Sequence, residues 1–172
     1  MSRIPSISIA TIDDLPTIVE IYNQAIKSKN ATGDMDEFTV KERVEWFDKF
    51  DDNNYPIYVA KIEDDITGYA TLSPYREGRK AMNRIAEISF YLDYSYHGLG
   101  IGSALVDYII SDCKRIHKDT LLAILLDINV GSIGLLKKFN FKQWGHLPNI
   151  VNFDDVKCGQ FIYGLNLEYS SV

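Results

Sequence analysis

The chain has 172 residues, with 18 Lys+Arg against 24 Asp+Glu and a formal net charge of −6. At 46% hydrophobic and 24% charged residues it reads as a soluble globular protein, long enough to bury a core without staples. The acidic balance argues against nonspecific binding to nucleic acid or anionic membranes, and no run approaches the roughly 18 apolar residues of a membrane span.

In chain order, Ile7–Ala10 alternates apolar and small polar residues and predicts a first strand. Thr11 or Asp13 then caps a helix whose apolar face is Leu15, Ile18, Val19, Tyr22 and Ile26. Residues 28–38 are polar, contain Gly33 and read as a surface loop. Thr39 and Glu42 have the spacing of a capping box and open a second helix carrying Val44, Trp46, Phe47 and Phe50. Ile57–Ile62 and Gly68–Leu72 flank the polar turn Glu63-Asp64-Asp65, a hairpin pattern. The loop 73–83 is basic through Arg76, Arg79 and Lys80.

Ala86–Leu92 predicts the next strand, followed by a glycine-rich turn at 98–102. A helix comes next, with Leu105, Val106, Ile109, Ile110 and Cys113 on its apolar side. Leu121–Ile128 is apolar up to Asp127 and reads as a buried strand. Ser132–Phe139 predicts a short helix ended by Asn140, and strands near Phe141–His146 and Phe161–Leu167 close the chain. The order implies an α/β fold with a mixed sheet, lacking the strict alternation of a doubly wound one.

Two cysteines, Cys113 and Cys158, stand far apart and form no CxxC, which points away from a disulfide framework and towards a reducing, cytoplasmic setting. With three scattered histidines they offer no metal-ligand spacing, so no metal is expected. The start, Met1-Ser2-Arg3-Ile4-Pro5-Ser6, shows no apolar signal region. Without repeats or linkers, one domain over 1–172 is expected.

The most informative segment runs from Glu87 to Leu105: a strand, then Gly98, Gly100 and Gly102 at alternate positions, then a helix. Such glycines let the backbone approach a ligand, and with the positive end of the helix they form a phosphate-binding concavity. A turn that only reverses the chain is the plainer reading. The dinucleotide fingerprint needs a different glycine spacing on a first βα unit, and no Gly-Lys pair exists for a P-loop.

Here the chain resembles the GNAT superfamily of N-acetyltransferases, whose pyrophosphate signature is Q/R-x-x-G-x-G/A. His97-Gly98-Leu99-Gly100-Ile101-Gly102 fits it except at the first position, where His stands for Gln or Arg. A later family motif, N-x-x-S-x-x-L-[YH]-x-x-x-G-F, is matched by Asn129, Ser132, Leu135 and Phe141, with Leu136 at the aromatic position and Asn140 at the glycine. The resemblance extends to the phosphinothricin acetyltransferase-type branch through Ala31-Thr32, Thr39…Arg43…Trp46-Phe47 and Arg79-x-Ala81. It implies a single-domain fold with a mixed, mostly antiparallel sheet of about seven strands flanked by about four helices.

The resemblance also implies acetyl-CoA as co-substrate and a small primary amine, amino-acid-like, as acceptor. Glu87, opening Glu87-Ile88-Ser89-Phe90-Tyr91-Leu92, takes the place of the branch's proposed general base. The backbone of Phe90, Tyr91 and Leu92 is implied to run beside the pantetheine arm, with an N–H near the thioester carbonyl. The turn from His97 to Ser103 would hold the pyrophosphate, and Asn129 and Ser132 would reach the cofactor. Arg79 and Met82 fall in the acceptor region, and an arginine there suits a carboxylate or phosphinate. An amine like that of a lysine side chain, of pKa about 10.4, arrives protonated and must lose a proton, which a glutamate raised by burial is suited to accept.

Each role has an alternative: Glu87 paired with Arg84, Asn129 as a helix cap, Arg79 as a solvated surface charge. Leu136 stands where relatives carry a tyrosine general acid, and leucine has no proton to give. Gly33, Met82 and the missing Trp-x-Asp pattern depart from the branch and alter the expected acceptor pocket. Acetylation of a protein or peptide amine, and acetyl-CoA sensing without turnover, are the competing functions. The relatives imply a homodimer.

Overall fold

The computed structural model describes residues 4–168, so Met1–Arg3 of the chain start and both ends of the 1–172 domain lie outside the described residues. The seven strands are β1 (Ser6–Ile9), β2 (Ile57–Ile62), β3 (Asp65–Pro74), β4 (Ile85–Leu92), β5 (Thr120–Leu126), β6 (Lys142–Phe153) and β7 (Val156–Asn166). They form one sheet in the order β1-β2-β3-β4-β5-β7-β6. Among the described residues only β4 and β5 run parallel; the other neighbours are antiparallel. The helices are α1 (Leu15–Ser28), α2 (Val40–Phe47), α3 (Ile101–Asp112) and α4 (Val130–Lys138).

The period-two pattern of the strands divides the core between two faces. Ile57, Val59 and Tyr69 meet Ile18, Ile21, Tyr22 and Ile26 of α1, with Trp46 and Phe47 of α2 packed against them. Tyr58, Ala60, Ala70, Leu72, Ile88, Leu121 and Ala123 turn the other way, onto Ile101, Leu105, Val106 and Ile109 of α3 and Leu136 of α4. The predicted α1 stripe is buried throughout, and of the α3 stripe Leu105, Val106 and Ile109 are buried, Ile110 is partly so and the buried Cys113 follows the helix end, because positions three and four apart share a helix face. The α2 capping box forms as its spacing predicts: the Thr39 N–H donates to Glu42 at 2.7 Å, and the Glu42 N–H donates to the Thr39 hydroxyl at 3.4 Å.

Several boundaries differ from the sequence reading: α2 ends at Phe47 and leaves Phe50 outside it, β3 begins at Asp65 within the expected turn, and α4 starts at Val130 and ends at Lys138. Thr11 caps a short 3-10 turn, Ile12–Asp14, and Asp14, not Asp13, precedes α1. β5 stops at Leu126, two residues before the predicted end. The last two strands are much longer than the pattern shows, because β6 bulges between Gln143 and Gly145 and again between Leu147 and Val151. Each bulge resets the inside–outside alternation on which a strand prediction depends.

Candidate active site

The central feature is a split in the sheet. β4 and β5 pair only through Ile85–Glu87 and Thr120–Leu122. Beyond that rung β4 stays with β3 as far as Leu92, while β5 stays with β7 as far as Leu126. The backbone N–H and C=O groups of Ile88–Leu92 that point away from β3 therefore face a gap rather than a strand, and a ligand can take those hydrogen bonds. A groove of about 480 Å³ opens there, walled by Phe90–Leu92, by Tyr94, His97 and Gly98, by Asn129 with Gly131, Ser132 and Leu135 of α4, and by the end of α1 with Asn30 and Ala31. A 40 Å³ cleft continues it between Ile88–Tyr91 and Ala123–Leu125.

At the outer end of the groove the chain passes from β4 through a 3-10 turn at Tyr94–Tyr96 into α3. Gly98 (φ 78°) and Gly100 (φ 83°) are left-handed, and a Cβ on either would meet nothing within 4 Å. These glycines serve backbone shape, not packing. Gly102 differs: a Cβ there would lie 2.9 Å from Leu135 and 3.4 Å from Leu92, so this glycine lets α3, α4 and β4 close together. Leu99 is exposed, whereas Ile101 is in the core. Gly100 caps α3 without a side chain, so the first-turn N–H groups lack intrahelical partners.

His97 lines the groove but is held by its neighbours. Its Nε2 lies 3.3 Å from the Leu92 carbonyl oxygen, and its ring meets Tyr94 edge-on at 4.6 Å. Ser103, in the first turn of α3, accepts a hydrogen bond from the Lys138 ammonium at 2.9 Å. Asn129 caps α4, its side-chain oxygen accepting the Ser132 N–H at 3.1 Å while the residue still borders the groove. Leu136 is fully buried and serves packing.

Glu87 sits on the last paired rung, opposite Leu122, half-buried, at the closed end of the split and outside the groove wall itself. Phe90 lies three residues further along, about 10 Å at strand rise. Arg84 pairs with Asp119 rather than with Glu87. Burial pushes the Glu87 carboxyl above its ordinary value. Arg79 and Met82 are exposed on the β3–β4 loop, which leaves the sheet one rung beyond Glu87, where Pro74 faces Ala86.

Sequence reading passed over one cluster beside the groove. The Tyr22 hydroxyl bonds Thr32 Oγ1 at 2.8 Å and donates to the Asp34 carboxylate, and burial pushes Tyr22 up to about 12. The Tyr91 ring meets Tyr22 edge-on at 4.9 Å. The Arg43 guanidinium stacks 3.8 Å above Trp46 and 5.2 Å from Tyr22. The shared pair Ala31-Thr32 was the available signal, but its partner Tyr22 appears in the sequence only as one more apolar position.

The sequence model of the acetyltransferase (GNAT) family matches residues 17–141, which contain the split strands, the glycine turn and α4. YwnH of Bacillus subtilis (strain 168), named as a candidate phosphinothricin acetyltransferase, is 32% identical over 155 residues, 90% of this chain and 94% of its own. An L-methionine sulfoximine/L-methionine sulfone acetyltransferase of Pseudomonas paraeruginosa (strain DSM 24068 / PA7) is 30% identical over 148 residues, 84% of each chain. The crystal structure of a GNAT superfamily phosphinothricin acetyltransferase (Pat) from Sinorhizobium meliloti in complex with AcCoA is similar with a TM-score of 0.88 at 25% identity, covering 97% of this chain and 89% of that one. With its split sheet, its glycine turn and a family match over most of its length, the chain belongs to the acetyltransferase (GNAT) family.

Proposed function

We propose that the protein transfers the acetyl group of acetyl-CoA to the primary amine of a small amino-acid-like acceptor, of the phosphinothricin or methionine sulfone type. The observation that carries this reading is the split between β4 and β5, with Glu87 at its closed end and a glycine turn with a helix N-terminus at its open end. A long, thin ligand with phosphates at one end and a reactive group at the other fits that arrangement. The names of the relatives supply the acceptor type.

Acetyl-CoA, when bound, supplies an activated acyl group; the rest is the work of the chain. The amides of Gly98–Gly102 and the first turn of α3 hold the pyrophosphate, with Ser103 beside them. Asn129 and Ser132 border the pantetheine path. Freed N–H groups of Phe90–Leu92 bind the thioester carbonyl oxygen, where negative charge develops. Glu87 takes the proton of the acceptor ammonium, directly or through water, and its burial raises its basicity for that task. The amine then forms the C–N bond as the C–S bond breaks, and coenzyme A leaves as the thiolate, to which the buried Leu136 gives no proton. Arg79 and Met82, on the exposed loop beside Glu87, meet the acceptor's other end, Arg79 by pairing with its acidic group.

The single domain works in the cytoplasm, where the two buried cysteines, Cys113 and Cys158, stay reduced. Two copies pair, as the family resemblance implies, through the β6–β7 hairpin at the sheet edge, which exposes Trp144, Leu147, Ile150 and Val156. Sedimentation of the purified chain at two concentrations tests the pairing.

Thiol release from acetyl-CoA is the decisive assay, with a panel of methionine sulfone, phosphinothricin, other amino acids, polyamines and short peptides. Turnover on the amino-acid-like amines is the expected result. Turnover on peptides alone moves the acceptor to proteins. Thermal stabilisation by acetyl-CoA without turnover on any amine leaves a sensor.

A further inference from the structure

We infer that Lys138 is a phosphate-binding cation of the cofactor site, carried to the start of α3 by the neighbouring helix α4. The inference rests on the acetyl-CoA reading above and names a residue that neither the glycine signature nor the later motif assigns.

Coenzyme A is a multiply charged anion, and this chain carries a net charge of −6. The segment that forms the proposed phosphate cradle supplies no countercharge. Between Asp93 and Asp112 there is no Lys or Arg, and Asp93, Asp107 and Asp112 are all acidic. His97, where the family signature calls for Gln or Arg, is turned back against the Leu92 carbonyl and Tyr94. Backbone amides and a helix dipole offer partial charges only, so a full positive charge has to arrive from another element.

Lys138 is that charge. It lies in the last turn of α4, where a lysine would ordinarily face its own helix's carbonyl end. Instead its ammonium reaches across to α3 and donates to Ser103 Oγ at 2.9 Å. That bond uses one of three ammonium protons and leaves two for a ligand. Lys138 is exposed, so its charge is not consumed by a buried partner. Ser103 fixes the ammonium at the first turn of α3, the turn that the left-handed Gly100 caps. The packing of Gly102 against Leu135 sets the separation of α3 and α4 that makes the reach possible.

The ligand chemistry is a phosphate of the cofactor, either the pyrophosphate or the 3′-phosphate of the ribose. Calorimetric titration of the full chain with CoA and with dephospho-CoA, which lacks the 3′-phosphate, separates the two. Lys138→Met keeps the aliphatic stem and removes the charge. Its affinity for CoA falls about tenfold at low salt, the scale of one charge-assisted hydrogen bond, and Lys138→Arg restores it. An equal loss for both ligands assigns the pyrophosphate; a loss for CoA alone assigns the 3′-phosphate. The wild-type affinity also falls more steeply with salt than that of Lys138→Met. The melting temperature of the unliganded variant, unchanged at this exposed position, shows that folding is intact. Wild type and Lys138→Met binding CoA equally at every salt concentration would overturn the inference. Failure of the wild type to bind CoA would instead remove the cofactor reading itself.

Discussion

Glu87 faces Leu122 across the last rung on which β4 and β5 remain paired. One residue later the strands begin to part, so the carboxylate stands where sheet ends and groove begins. No cation among the described residues shifts it, and burial is what acts on its ionisation. Glu87→Gln keeps the shape and removes the basic oxygen. Turnover falls about 10²- to 10⁴-fold, the usual contribution of a positioned general base, while the dissociation constant for acetyl-CoA is unchanged. Single-turnover acetyl transfer with calorimetry on the same variant checks both halves. Full turnover with normal cofactor binding would remove Glu87 from the mechanism.

The same carboxyl sets a pH dependence whose sign is fixed. Its folded pKa is raised, so the base form appears only as pH passes above the ordinary glutamate value, and kcat/KM climbs through that raised pKa. Stability moves the other way. A carboxyl whose folded pKa is raised adds no penalty below its unfolded pKa and costs stability as pH rises through the folded one. Glu87→Gln therefore melts higher than wild type at neutral and alkaline pH, and the gain disappears in acid. Melting curves across pH measure this; a gain confined to acid would contradict it.

Gly100 holds φ at 83° in open space, so replacing it costs backbone strain and nothing in packing. Gly100→Ala loses about 1–2 kcal/mol of stability, the price of a left-handed L-residue. If the backbone relaxes to escape that strain, the amides of the turn rotate away from the phosphates. The thermal shift induced by saturating acetyl-CoA is then smaller in the variant than in the wild type. An undiminished shift would show that the turn holds its amides in place in spite of the strain.

The central elements could be read because each follows a local rule. The α1 and α3 stripes repeat every three or four residues, Thr39 and Glu42 carry their cap within one turn, and Gly98–Gly102 announces a helix entry. The long hairpin escaped because Gly145, Pro148 and the left-handed Asn149 break its alternation, and the left-handed Asp154 makes a turn with no glycine to mark it. Glu87 and Asn129 can be singled out from motif spacing, but that Arg84 pairs with Asp119 and not with Glu87 is decided in space. Tyr22 with Asp34, and Lys138 with Ser103, join residues of separate elements, and such pairs leave no period in a sequence.

Asp14 and Lys61 form a partly buried pair at 2.9 Å that ties the entry of α1 to β2. Burial raises the Asp14 carboxyl, but the Thr11 N–H and the Lys61 ammonium outweigh it and hold the group below its ordinary value. A depressed carboxyl contributes stability that is present above its unfolded pKa and is lost as pH falls through the folded one. Lys61→Met at neutral pH costs about 1–3 kcal/mol, because Asp14 is left shielded from water without its cation. The deficit narrows in acid as Asp14 takes up a proton. Denaturant titrations of both proteins at neutral and acid pH give the comparison, and a constant difference would mean that the pair contributes nothing.

Tyr22 governs the loop that leads from α1 to α2. Its proton goes to Asp34, so the Thr32 hydroxyl supplies the proton of their 2.8 Å bond, and the Asp34 N–H closes the ring on Thr32 at 3.3 Å. Thr32 is buried, so removing the phenol oxygen takes away the acceptor of its hydroxyl proton where water does not compete, and only the Asp34 N–H bond to it remains. Tyr22→Phe costs about 1–2 kcal/mol on that account. Asn30 and Ala31, carried on the same loop, wall the groove, and loosening the loop weakens ligand binding before it touches the chemistry at Glu87. KM values therefore rise several-fold while kcat stays close to wild type. Tyr22 is pushed up to about 12 and stays protonated through any ordinary assay pH, so this difference does not vary with pH, in contrast to the Glu87 effect. Steady-state kinetics of Tyr22→Phe at several pH values decide it: a fall in kcat that tracks pH would place the Tyr22 hydroxyl on the proton path instead of in the wall.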